Sequence, residues 1–140
     1  MYLILKNIVK GTLAGLMSGT LILGLGGRLL MRGIAILAGG SGSFSWAGSG
    51  EVVALGSIIG ICSGAFLGLS SPFAMRNKLI WGMLHGALAY IMVLVLPIGG
   101  KGAARGFPDL QVTIHLLFGG SFLLFGIAMV WLFIKFHNSA

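Results

Sequence analysis

Acidic residues are nearly missing from this chain. Glu51 and Asp109 are the only two, against nine Lys and Arg, and charged residues of both signs make up 8% of the sequence. A soluble domain carries roughly 25%. So few charges cannot coat a water-facing surface, which excludes an ordinary soluble domain. A disordered chain needs low hydrophobicity, whereas hydrophobic residues here reach 57%. Cysteine is scarce too. Cys62 stands alone, which excludes an internal disulfide and a cysteine-rich metal site. It lies inside an apolar run and reads as a small core residue.

Catalytic patterns are also absent. The apolar runs hold no paired carboxylates, no HExxH run and no phosphate-binding GxxxxGK[ST] loop. Gly24-Leu25-Gly26-Gly27 sits in an apolar stretch and lacks the strand–turn–helix setting of a dinucleotide fingerprint. The chain is not expected to be an enzyme, and no metal site is expected.

What is present is apolar length. Four runs cover about residues 8–27, 52–69, 79–97 and 112–134. Each approaches or exceeds the ~20 residues a helix needs to cross ~30 Å of hydrocarbon. They do not alternate as the strands of a membrane barrel would. The composition and these runs predict an all-α membrane protein, a four-transmembrane-helix bundle forming one domain over residues 1–140. Lys6 and Lys10 precede the first run in the order of a signal peptide. That run is longer than a typical signal-peptide core, so it reads as a retained helix.

The connections read as surface loops. Residues 39–50 are rich in Gly and Ser and carry Trp46, which suits the headgroup level. Residues 70–78 contain Pro72, and residues 98–109 contain Pro108. The stretch 28–38 is less plain. Gly24, Gly26 and Gly27 offer a bend, after which a short interfacial helix is expected to carry Arg28 and Arg32 one turn apart. A long tilted helix projecting from the bilayer is the alternative.

The net charge of +7 lies between the apolar runs, so the basic residues read as lipid-headgroup anchors rather than a nucleic-acid surface. With four crossings, Lys6, Lys10, Arg76, Lys78 and Lys135 share one side. Arg28, Arg32, Lys101 and Arg105 share the other, with Glu51 and Asp109. The bias of basic residues toward the cytoplasm then places both termini there.

Glycine is abundant and ordered, at 25 residues. Gly11, Gly15 and Gly19 fall four apart. So do Gly56, Gly60, Gly64 and Gly68, and again Gly82 and Gly86. Four-residue spacing puts small residues on nearly one helix face, where neighbouring backbones can approach closely. These nine are candidate helix-packing positions. The fourth run instead carries a ridge of Phe118, Phe122 and Phe125, expected to face lipid or a partner.

Two sets of polar residues are candidate sites. Arg28, Arg32, Glu51 and Asp109 could form a polar cluster that caps helices and pairs charges, or one that binds an anion or lipid headgroup. His85 and His115 lie within apolar runs. Either could be hydrogen-bonded to a neighbouring helix, or could ligate a tetrapyrrole, chlorophyll or haem. At 1.5 Å per residue their depths differ by ~15 Å, so one haem held by both is excluded and separate pigments are not.

The leading functional expectation is a non-catalytic membrane subunit that packs against other membrane-protein subunits and lipids. The alternatives are a small oligomeric channel or carrier, lined by Ser18, Thr20, Ser57, Ser63, Thr113 and Ser121, and a tetrapyrrole-binding membrane protein.

Overall fold

The structure, a computed structural model, describes residues 2–39, 46–70, 77–95 and 110–138. In hydrocarbon no water satisfies backbone N–H and C=O groups, so an apolar chain of this kind must satisfy them internally, and helices do so segment by segment. The helices are α1 (Tyr2–Ser18), a π-helical segment (Gly19–Gly26), α2 (Gly27–Leu37), α3 (Trp46–Leu69), α4 (Lys78–Val95) and α5 (Gln111–Asn138). No strand occurs among the described residues. Four helical stretches are long and apolar enough to cross a membrane: Leu3–Leu37, Trp46–Leu69, Lys78–Val95 and Gln111–Asn138.

Two boundaries differ from the sequence reading. Trp46 to Gly50 are the opening of α3 rather than loop. Gly and Ser cost at most about 1 kcal/mol each in a helix, so the helix that the apolar residues beyond them form extends back through them. Glu51 therefore lies beyond the first turn of α3, which contains no acid. The second difference concerns residues 28–38. The chain is helical from Tyr2 to Leu37 without a break, and Gly26 and Gly27 keep right-handed helical angles. What changes over Gly19–Gly26 is the hydrogen-bond ladder: the Gly27 N–H reaches the Ile22 carbonyl, five residues back.

That π segment has a packing reason. α1 and α3 run antiparallel with their backbones in contact. A Cβ added at Gly11 would fall on the Gly64 carbonyl, one at Gly15 on the Gly60 carbonyl, and one at Gly19 on the Gly56 carbonyl. The next small residue of the first helix is Gly24, five positions on instead of four. In an α-helix a five-residue step turns well off the face. A π turn, with its i→i+5 bonds, brings the fifth residue back over the first. A Cβ at Gly56 would accordingly meet both the Gly19 carbonyl and the Gly24 nitrogen, at 2.8 and 2.6 Å. One hydroxyl contact ties the same seam, Thr20 Oγ1 lying 2.8 Å from Ser57 Oγ.

α4 and α5 are built the same way. A Cβ at Gly86 would strike the Phe122 carbonyl, and one at Gly126 the Gly82 carbonyl. α5 also packs on α1 and on the π segment, and so joins the two helix pairs. Its buried residues are Phe122, Phe125, Gly126, Met129, Val130 and Phe133, the i, i+3, i+4, i+7 pattern of one helix face. The expectation that the aromatic ridge faces outward is corrected here. Phe122 and Phe125 are core residues at 6% and 0% exposure, and Phe118 is half-buried over a small void of about 150 Å³ between the helices. Glycine on α4 lets α5 approach so closely that the phenylalanines beside that seam are enclosed.

By contrast α3 and α4, consecutive in the chain, hardly touch. The two antiparallel seams bring Lys6, Lys10, Lys78 and Lys135 to one end of the bundle and Arg28, Arg32 and Glu51 to the other. From Lys10 to Arg28 the rise is about 27 Å at 1.5 Å per residue, close to the ~30 Å of hydrocarbon.

Candidate functional site

The slot left between α3 and α4 is the first candidate. It holds about 380 Å³ and is lined by Cys62, Ser63 and Phe66 from α3 and by His85, Leu88, Ala89 and Met92 from α4. His85 is 3% exposed. Its Nδ1 lies 2.9 Å from the Trp81 carbonyl one turn back. A carbonyl only accepts, so Nδ1 carries the proton, and Nε2 of the neutral ring is a bare acceptor. Nε2 is buried and has no hydrogen-bond partner among the described residues. The ring has the Phe66 and Trp81 rings as tilted neighbours, at centroid distances of 5.5 and 5.7 Å. Gly82 and Gly86 do not open space beside it for a flat macrocycle, because their faces are taken up by α5.

His115 is placed differently. It is exposed near the start of α5, and its Nδ1 lies 2.8 Å from the Tyr90 hydroxyl on α4. That contact answers its polarity within the chain and bridges the ends of the two helices. Sequence alone gave no reason to pair Tyr90 with it. The α4–α5 register, fixed by Gly82, Gly86 and Gly126, supplies one.

The charged set is divided. Arg28 is half-buried and lines a groove between the first helical path and the start of α3, whereas Arg32 and Glu51 are exposed. The residues of α3 that face this groove are Trp46, Ser49, Gly50 and Val53. Glu51 lies about 200° from Ser49 around the helix, at about 100° per residue, and so points away from the groove. Asp109 is outside the described residues.

Of the hydroxyls proposed to line a path, most are committed locally. Ser18 donates to the Ala14 carbonyl at 2.8 Å, and Ser121 to the Leu117 carbonyl at 2.9 Å. Thr20 and Ser57 each lie 2.8 Å from a carbonyl of their own helix as well as from each other. Two hydroxyl protons serve those three contacts. No group of three or more potential metal ligands occurs among the described residues.

Among the described residues these features define an all-helical chain with four helices able to cross a membrane, two glycine seams and two buried imidazole nitrogens without a hydrogen-bond partner, His85 Nε2 in the slot and His137 Nδ1 at the end of α5. Comparison with protein-family models, curated proteins and solved structures finds no match.

Proposed function

We propose that the protein is a non-catalytic membrane subunit whose α3–α4 slot receives a transmembrane helix of a partner protein. The observation that carries this is His85 Nε2. A buried acceptor left unpaired costs about 1–3 kcal/mol, and the slot beside it is open because α3 and α4 do not close on each other. Nε2 is itself enclosed, so a partner helix with a hydroxyl or amide donor at that depth would have to displace a lining side chain such as Phe66 to recover the loss, and polar side chains do bond between helices in lipid. Exposed apolar surface carries no weight here, because lipid accepts it. The carrier reading is supported less well, because Ser18 and Ser121 turn back to their own helices.

Cys62 provides the test, being exposed and on the slot. A photo-crosslinker attached to this thiol in the native membrane should label the same membrane protein that co-migrates with the chain in mild detergent. Leu88→Trp, which fills the slot, should reduce both the label and the co-migration. A chain that migrates alone and crosslinks only to lipid would end the subunit reading. The bare Nε2, with Nδ1–H held by a carbonyl, is also the form in which histidine ligates a metal centre. A visible absorption band in the purified protein that disappears in His85→Ala would favour the tetrapyrrole reading instead.

In this placement the glycine columns serve as the helix-packing surfaces. Trp46 and Arg28, facing one groove, mark the headgroup level. Residues from Arg32 to Leu37 then lie at or beyond the interface, as an interfacial segment continuous with the first span. The end carrying Lys6, Lys10, Lys78 and Lys135 is cytoplasmic. In a Cys62→Ser background, a cysteine at position 78 should be protected from an impermeant thiol reagent in intact cells, and one at position 32 should react. The reverse pattern would invert the topology.

A further inference from the structure

The groove at the Arg28 end carries a second, independent reading. The α1–α3 seam is tight as far as Gly24 and Gly56, and then the helices separate. A Cβ at Gly27 would only graze Val52 Cγ1, at 3.8 Å, and one at Gly50 would meet nothing within 4 Å. The wedge so formed holds about 570 Å³, within the ~300–1,000 Å³ typical of ligand clefts. Leu25, Leu29 and Val53 form the apolar part of its lining, its floor, and Arg28, Trp46, Ser49 and Gly50 complete the lining.

We propose that this groove binds one anionic phospholipid, with its phosphate on Arg28 and an acyl chain along Leu25, Leu29 and Val53. The inference rests on membrane placement and not on the partner-helix reading. Chemistry and depth agree in it. The guanidinium has five N–H donors in a fork that fits phosphate oxygens, so a phosphate can share it with groups of the chain. Trp46 is 84% exposed at the start of its helix, where an indole suits the boundary between headgroup and acyl chain. No carboxylate lines the groove among the described residues, and Glu51 points away from it. A net charge of +7 raises the local concentration of anionic lipid around the protein. A free phosphate would leave the apolar floor unused. A lipid occupies both parts.

The test is native mass spectrometry of the full chain after exchange into micelles containing phosphatidylcholine and phosphatidylglycerol. The wild type should retain one phosphatidylglycerol in preference to phosphatidylcholine. Arg28→Gln should lower that retention about tenfold, the scale of one charge-assisted phosphate contact. Arg32→Gln, one turn further out, should change it less than about twofold. Should Arg28→Gln fail to fold, Leu29→Trp keeps the charge, fills the floor, and should also release the lipid. Equal retention by the wild type and the groove variants would overturn the site, as would equal retention of the two lipids. Displacement of phosphatidylglycerol by inorganic phosphate would show an anion site with no use for the chain, and would overturn it as well.

Discussion

Gly60→Leu is expected to force α1 and α3 apart and to lower the unfolding free energy by about 3 kcal/mol, the upper part of the usual range for overpacking. The magnitude follows from what the new side chain meets. A Cβ at Gly60 would land on the Gly15 carbonyl, with the Gly19 Cα at 3.1 Å. Both are backbone atoms and cannot rotate away as a side chain would. The helices must separate, and separation along an antiparallel seam also loosens Gly56 on Gly19 and Gly64 on Gly11. In lipid no hydrophobic gain offsets this, because association there depends on close packing. Gly33→Leu is the matched control, since a Cβ at Gly33 meets nothing within 4 Å. Unfolding of the two variants in mixed detergent micelles should give a midpoint far below wild type for Gly60→Leu and near wild type for Gly33→Leu. Coincident midpoints would mean that the seam does not hold the bundle together.

The membrane class and the four helices were legible in composition and run length alone, since a chain with two acids has almost no other way to fold. The glycine columns were legible as faces, but their pairing was not. Spacing shows which residues share a face and leaves open which face meets it. Gly24 is the instructive case. It breaks the four-residue rhythm of Gly11, Gly15 and Gly19, and a change in the backbone ladder restores it to the seam. Nothing in the side chains announces that change. Boundaries were hidden for a different reason. Trp46 to Gly50 have the composition of a soluble loop, yet they extend the helix formed by the apolar residues that follow. The candidate sites were legible as residue types, with His85 and Arg28 both singled out. Their surroundings depend on tertiary placement: Cys62 and Phe66 around one, Trp46 and Ser49 around the other. Glu51 shows the limit most clearly. It shares an end of the bundle with Arg28, yet helical phase turns it away from the groove that Arg28 lines.

The fate of the aromatic residues on α5 leads to the second large effect. Phe125 is fully buried, in the core cluster that also holds Ala14 and Leu67 of one helix pair and Ala89 of the other. Phe125→Ala in a soluble protein typically costs ~3–5 kcal/mol, in part from lost transfer out of water. In a membrane much of the transfer part vanishes, because the separated helices would rest in lipid about as apolar as the core. The cavity part remains. At about 24 cal/mol per Å³, a void of roughly 100 Å³ gives ~2.4 kcal/mol. Leu124→Ala is the internal control. It is one residue away, 62% exposed, and its truncation should shift stability by less than about 0.5 kcal/mol. Phe125→Leu, which refills part of the void, should recover a substantial share of the loss. The ranking distinguishes two architectures. If α5 joins the pairs through its aromatic face, Phe125→Ala should be several times as costly as Leu124→Ala in the same micelle titration. If that face looked toward lipid or an external partner, the isolated chain would tolerate both truncations equally, and the central position of α5 would have to be given up.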